Sequence, residues 1–145
     1  MSGGYVLVVE DNPDHRFLVG AILRRFLPPT DICLVDSAEA AIRYLCGMIP
    51  GDGPRIEPPG LVVLDLDLPG MSGFEFLEWI GSRSDIEVPV VVLTLSSHPA
   101  NRQRARELGA VEFHEKPADF GSLADIVLPY VRPQIPARRQ REEAG

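Results

Sequence analysis

Glu10 and Asp11 end one apolar run, Asp65 and Asp67 end another, Thr94 with Ser96 and Ser97 ends a third, and Lys116 follows one more. These residue types carry chemistry: a carboxylate can attack as a nucleophile or hold a cation, a hydroxyl can donate to an oxyanion, and an ammonium can neutralise one. If the runs are strands of one parallel sheet, their carboxyl ends gather at the edge where such sheets bind ligands. Carboxylates crowded there repel one another until one protonates or a cation binds. Mg2+ is the economical answer, since it takes a few carboxylates, keeps several waters and accepts a phosphate oxygen as a further ligand. Taken singly, Asp11 reads as a helix cap and Asp67 as the opening of a turn. Only the convergence of all four acids points to a site.

Lys116 stands out by composition as well as place, being the one lysine among 14 Lys and Arg residues. Arginine replaces lysine readily on a solvated surface. It does not replace it where a compact ammonium must meet one oxyanion in a tight pocket.

To bring these residues together the chain must alternate strands and helices, and its pattern does so. Residues 5–10 are apolar up to a terminal acid, as in a strand buried on both faces, and Asn12 and Pro13 then supply a cap and a first helical residue. Phe17, Leu18, Ala21 and Ile22 recur on one face of that helix. Residues 32–35 form a short second strand, and Ser37 caps a helix to about Cys46. A third strand covers residues 61–66, followed by a helix opened by Ser72 with Phe74, Leu77 and Ile80 on its apolar face. Residues 88–94 are a fourth strand, and Pro99 starts an Arg-rich helix closed by Gly109. Residues 111–115 make the fifth strand, and a last helix capped near Asp119 turns Leu123, Ile126 and Val127 inward. Pro129 is expected to break that helix near its end. Five strands, each apolar throughout, alternating with five helices predict an α/β fold: a parallel, doubly wound sheet covered on both faces.

A chain of 145 residues with 45% hydrophobic and 24% charged residues suits one domain with its own core. Residues 5–131 are read as that domain and residues 132–145 as an irregular tail. The long connection over residues 47–60, rich in Gly and Pro, is read as an exposed loop. A net charge of −7 argues against nucleic acid as the main partner. Arg138, Arg139 and Arg141 are the one basic cluster and lie beside Glu142 and Glu143. Cys33 and Cys46 are too few for a disulfide framework or zinc site and read as buried free thiols. No apolar stretch is long enough to span a membrane, and no leader pattern is visible, so a cytoplasmic location is expected. His15, His98 and His114 share no metal-binding spacing and read as surface residues or supports behind the site.

Glu10-Asp11, Asp65-x-x-x-Pro69-x-x-x-Gly73, Thr94 and Lys116-Pro117, in this order and at these strand ends, resemble the receiver domain of response regulators over residues 5–131. The resemblance implies a flavodoxin-like fold with strand order 2-1-3-4-5. It makes Asp65 the phosphoacceptor, attacking a phosphohistidine to form an acyl phosphate. Mg2+ would be held directly by Asp11 and Asp65, through water by Glu10, and through its backbone carbonyl by Asp67. Lys116 would pair with a phosphoryl oxygen, aimed by a cis bond to Pro117, and the Thr94 hydroxyl would bond another. Phe113 would be the aromatic switch. The implied partner is a sensor histidine kinase or histidine phosphotransfer protein, in a two-component phosphorelay. The chain would then be no enzyme beyond its own phosphorylation. The long loop and the absence of an output domain are similar to single-domain receivers that accompany bacterial phytochromes, which suggests a phytochrome-type kinase. Pairing of two copies through the last helix stays open, because Pro129 disturbs it.

Two departures from the family pattern bear on rates. Leu95 follows Thr94 where a small residue is usual, narrowing the mouth of the site, and Asp67 adds an acid beside the phosphoryl group. Two other readings remain. One is a receiver-like interaction module that is never phosphorylated. The other is a haloacid-dehalogenase-type phosphatase, for which Asp65-Leu66-Asp67 would be nucleophile and acid/base pair. That family places its first motif near the chain start and an acidic motif after the lysine, whereas here Glu10 and Asp11 come first.

Overall fold

The computed structural model describes residues 4–47, 58–96, 98–116 and 118–131, without the side chains of Ala118 and Asp119. The expected cis bond to Pro117, residue Ser97, most of the 47–60 loop and the 132–145 tail lie outside the described residues.

Five parallel strands, β1 (Val6–Val9), β2 (Ile32–Val35), β3 (Leu61–Leu64), β4 (Val90–Thr94) and β5 (Glu112–Glu115), form one sheet in the order β2-β1-β3-β4-β5. The expected flavodoxin-like order is the one observed. Alternation along the strands divides the core in two. Leu7, Val9, Val62, Leu64, Val90 and Val92 face a layer made by α2 (Ala38–Leu45), α3 (Gly73–Gly81) and α4 (Pro99–Glu107). Val6, Val8, Leu61, Val63, Val91 and Leu93 face α1 (Pro13–Leu23) and α5 (Leu123–Val131). A period of two thus presents apolar side chains to both layers, which is why the central strands are apolar without a break.

Local signals explain most boundaries. Asn12 accepts hydrogen bonds from the N–H groups of Asp14 and His15 at the start of α1. Ser72 and Glu75 form a reciprocal capping box at the start of α3. His98 caps α4, its Nδ1 accepting from Ala100 N at 3.0 Å.

The structure corrects several expectations. Phe17 is 70% exposed and Leu18 is also exposed, while Val19, Gly20 and Leu23 face the sheet. The helix is apolar nearly all round, so periodicity alone could not choose between its faces. On α3, Phe76 is buried with Leu77 and Ile80, whereas Phe74 is only half-buried beneath the guanidinium of Arg104. β5 is not apolar throughout: Glu112 and His114 alternate with Phe113 and Glu115, and both β5 and β2 are half-buried because they form the sheet edges. Nor does Pro129 end α5 before Val131. Pro129 has no N–H to offer the carbonyl of Asp125, and Asp125 lies on the exposed side of the helix. That helix begins at Leu123 after a 3-10 turn at Ala118–Ser122, later than a cap near Asp119 would place it. Cys33 is half-buried and Cys46 exposed, so neither is the buried thiol expected.

One glycine is needed for close approach. A Cβ on Gly73 would come within 2.6 Å of the Asp65 carbonyl oxygen and the Leu66 Cα. Both are backbone atoms and cannot yield without moving the end of β3. Gly73→Ala is expected to cost about 1–3 kcal/mol, as overpacking does, and to displace Asp65. Denaturant melts read the first effect, and amide shifts at residues 64–67 read the second.

Candidate functional site

In this strand order the chain winds outward in one direction from β1 and in the other from β3, so the carboxyl ends of β1 and β3 flank a crevice. Register places Val9 beside Leu64, and the Asp65 N–H donates to the Val9 carbonyl at 3.1 Å. Glu10 and Asp65 therefore emerge side by side. Thr94 ends β4 next to them, and Lys116 follows β5, its N–H bonded to the Thr94 carbonyl at 3.0 Å.

Asp65 is 7% exposed and both its oxygens are engaged. Oδ1 accepts from the Thr94 hydroxyl at 2.9 Å and from the Asp67 N–H at 3.1 Å, while Oδ2 accepts from Lys116 Nζ at 3.0 Å. Lys116 is 6% exposed and also donates to Glu10 Oε1 and to His15 Nδ1. The sole lysine is thus buried against two carboxylates.

One oxygen from each of Glu10, Asp11 and Asp65 lies within 4.8 Å of the others. Burial pushes the Glu10 carboxyl above the usual carboxylate range; the Lys116 hydrogen bond opposes this and the charge of Asp65 adds to it. Such a cluster is electrostatically costly as it stands, and its all-oxygen donor set suits a hard divalent cation. The residues present fit Mg2+. The Asp67 carboxylate is not part of this cluster: it is exposed and accepts from the Ser96 hydroxyl.

Phe113 is half-buried, with the Arg102 guanidinium 4.7 Å from its ring centroid and an Arg102 N–H donating to its carbonyl at 3.4 Å. Leu95 is 60% exposed and packs into neither half of the core.

Sequence reasoning did not single out two supports, Arg16 and Glu39, and left a third, His15, as a surface residue or a support behind the site. Arg16 donates to the Glu10 carbonyl at 2.9 Å and to that of Asp11 at 3.3 Å, fixing the turn that carries both acids. Glu39 accepts from the Met71 N–H at 2.9 Å, tying the start of α2 to the loop that follows Asp67, where Gly70 takes a positive φ of 71°. His15 reaches Lys116 from the first turn of α1. Arg16 was legible only as a member of a capped first turn, and Glu39 had no signal.

With this geometry in hand, the likenesses to known proteins are informative. The family model of the response regulator receiver domain matches residues 6–128. Two-component response regulator ARR17 of Arabidopsis thaliana is 33% identical over 129 residues, covering 84% of this chain and 81% of its own. Among solved structures, the phosphorylated cyanobacterial phytochrome response regulator RcpA superposes with a TM-score of 0.74 at 27% identity, over 89% of this chain and 94% of its own. The Mn2+-bound form of response regulator Rcp1 gives a TM-score of 0.72 at 28% identity, over 89% and 95%.

Proposed function

Because the chain belongs to the response regulator receiver domain family, we propose that it accepts a phosphoryl group on Asp65 in a two-component phosphorelay and switches its surface for a partner. The observation that carries this reading is the convergence on one buried carboxylate of the Thr94 hydroxyl, the Lys116 ammonium and the oxygens of Glu10 and Asp11. A carboxylate oxygen of Asp65 attacks the phosphorus of a phosphohistidine, the P–N bond breaks, and its electron pair stays with the imidazole. Asp11 and Asp65 would hold Mg2+ directly, with Glu10 acting through water and Asp67 through its carbonyl, and an ion bound there would supply charge neutralisation for the transferring group. Thr94 and Lys116 already bond to Asp65, so after transfer each exchanges a carboxylate oxygen for a phosphoryl oxygen.

The donor is a sensor histidine kinase, of phytochrome type by likeness to RcpA, or a histidine phosphotransfer protein. Residues 5–131 are the working domain. Among the described residues no helix is long and apolar enough to cross a membrane.

Mixed with acetyl phosphate and Mg2+, the protein is expected to gain the mass of one phosphoryl group, and chelator is expected to prevent it. Asp11→Ala should lose the label and Mg2+ binding together while remaining folded. An intact mass that never shifts overturns the phosphoacceptor reading. Unchanged calorimetric Mg2+ affinity in Asp11→Ala overturns the metal assignment.

Phosphorylation is expected to draw Thr94 inward and let Phe113 turn after it, remodelling the face of α4, β5 and α5. Only a few kcal/mol of preference for one state is needed. The Arg102 guanidinium over the Phe113 ring must yield for this to happen. Amide and ring signals of Phe113 that stay unmoved after full labelling would count against the switch.

A further inference from the structure

Lys116 has a third partner that no carboxylate supplies. His15 Nδ1 lies 3.1 Å from Nζ. An ammonium has three protons and no lone pair, so the imidazole must be the acceptor, and its own proton must reside on Nε2. Glu10 and Asp65 accept the other two protons. With the lysine side chain 1% exposed, water has little access to replace any of the three. The imidazole is itself held, its ring standing edge-on to Phe120 with centroids 6.0 Å apart and planes at 74°. Phe120 belongs to the 3-10 turn just beyond Lys116, so this turn packs against the imidazole that α1 brings to the ammonium.

We infer that His15 is a positioning residue for Lys116, accepting the third proton of the ammonium so that its charge is shared among α1, Glu10 and Asp65 rather than resting on the two carboxylates alone. This rests on the reading of Asp65 as phosphoacceptor. The ammonium and the divalent cation seek the same two carboxylates, and an uncharged acceptor that takes one of the ammonium's three hydrogen bonds leaves more of their oxygen lone pairs for the ion and for attack on phosphorus. A third carboxylate in this place would hold the lysine more tightly but add another negative charge to a cluster already strained by burial. A neutral imidazole accepts the proton without that charge. Without His15, one N–H of a buried ammonium would have no partner, and the charge would settle fully onto the carboxylates.

The full chain tests this with two variants. His15→Phe keeps a ring against Phe120 and removes the acceptor; His15→Gln loses the ring and keeps an uncharged acceptor. Expected for His15→Phe is a roughly tenfold weaker Mg2+ affinity by calorimetry and a roughly tenfold slower labelling by acetyl phosphate, the size of one hydrogen bond to a charged group. His15→Gln should recover most of both. In the unphosphorylated wild type, nitrogen-15 NMR should find His15 protonated on Nε2 and a slowly exchanging Lys116 ammonium. The inference falls if His15→Phe matches wild type in both measurements, if His15→Gln is no better than His15→Phe, or if the wild-type imidazole carries its proton on Nδ1. Should His15→Phe fail to fold, the wild-type tautomer decides. Should wild type take no label, the phosphoacceptor reading fails, and the calorimetry and tautomer still judge His15.

Discussion

Asp65→Asn is expected to take up no phosphoryl group from acetyl phosphate and Mg2+, and to remain folded. An uncharged amide oxygen does not attack phosphorus to give an acyl phosphate, so the loss is complete rather than graded. Stability is a closer balance. The amide fills nearly the same volume, and removing the charge of Asp65 relieves Glu10, whose carboxyl that charge helps to hold above its usual range. Glu10 should then ionise at lower pH. Against this, the Asp65 oxygens accept from Thr94, the Asp67 N–H and Lys116, and an amide offers only one oxygen. If that oxygen turns to Lys116, the Thr94 hydroxyl can accept from the amide, but the Asp67 N–H loses its partner. The two effects oppose each other at about 1 kcal/mol each, so the melting midpoint should move little. Asp67 is the carboxylate nearest to Asp65 in sequence, yet its side chain is exposed and engaged with Ser96. Intact mass with borohydride trapping decides: stoichiometric label in Asp65→Asn would move the acceptor to Asp67.

Lys116→Arg comes next in size, although the charge is kept. The ammonium sits almost without exposure among Glu10, Asp65 and His15, with each of its protons directed at one acceptor. A guanidinium is planar and larger, and it cannot aim three donors at three directions from one nitrogen. Forced into this site it overpacks the pocket; displaced from it, the two acids lose their counter-charge. Breaking a buried pair by loss of one partner costs about 3–5 kcal/mol, and overpacking about 1–3 kcal/mol. The folded variant should therefore melt earlier and label at least about tenfold more slowly, since a misplaced charge of this kind forfeits one strong hydrogen bond or more. Wild-type behaviour in labelling and in partner binding would show that any cation serves at residue 116.

How much of this was legible in the chain differs by element. Central strands were plain, because side chains facing two helical layers must be apolar at every position, and each such run is short and bounded by residues that cap or turn the chain. The edge strand Glu112–Glu115 was drawn as more apolar than it is, because the alternation of Glu112 and His114 with Phe113 carries meaning only once the strand is known to lie at the rim. For α1 the pattern permitted more than one inward face, and packing of Val19 and Leu23 against the sheet made the choice. Pro129 shows a local rule yielding to context, since helix geometry persists past it to Val131.

For the site, residue type and place at strand ends determined the main participants by themselves: Glu10, Asp11, Asp65, Thr94 and Lys116 carry their chemistry in their side chains, and the alternation of strand and helix brings strand ends together. The tertiary structure alone decided who touches whom. His15 meets Lys116 across 101 residues of chain and Glu39 meets Met71 across 32. Neither pairing leaves a trace in local spacing, since each depends on the angle at which a helix packs on the sheet. The same packing turned the Asp67 carboxylate outward to Ser96 while Asp65, two residues earlier, faced the crevice. Identical side chains on one short segment were thus separated into a buried and an exposed carboxylate by the backbone turn between them, which no count of carboxylates could reveal.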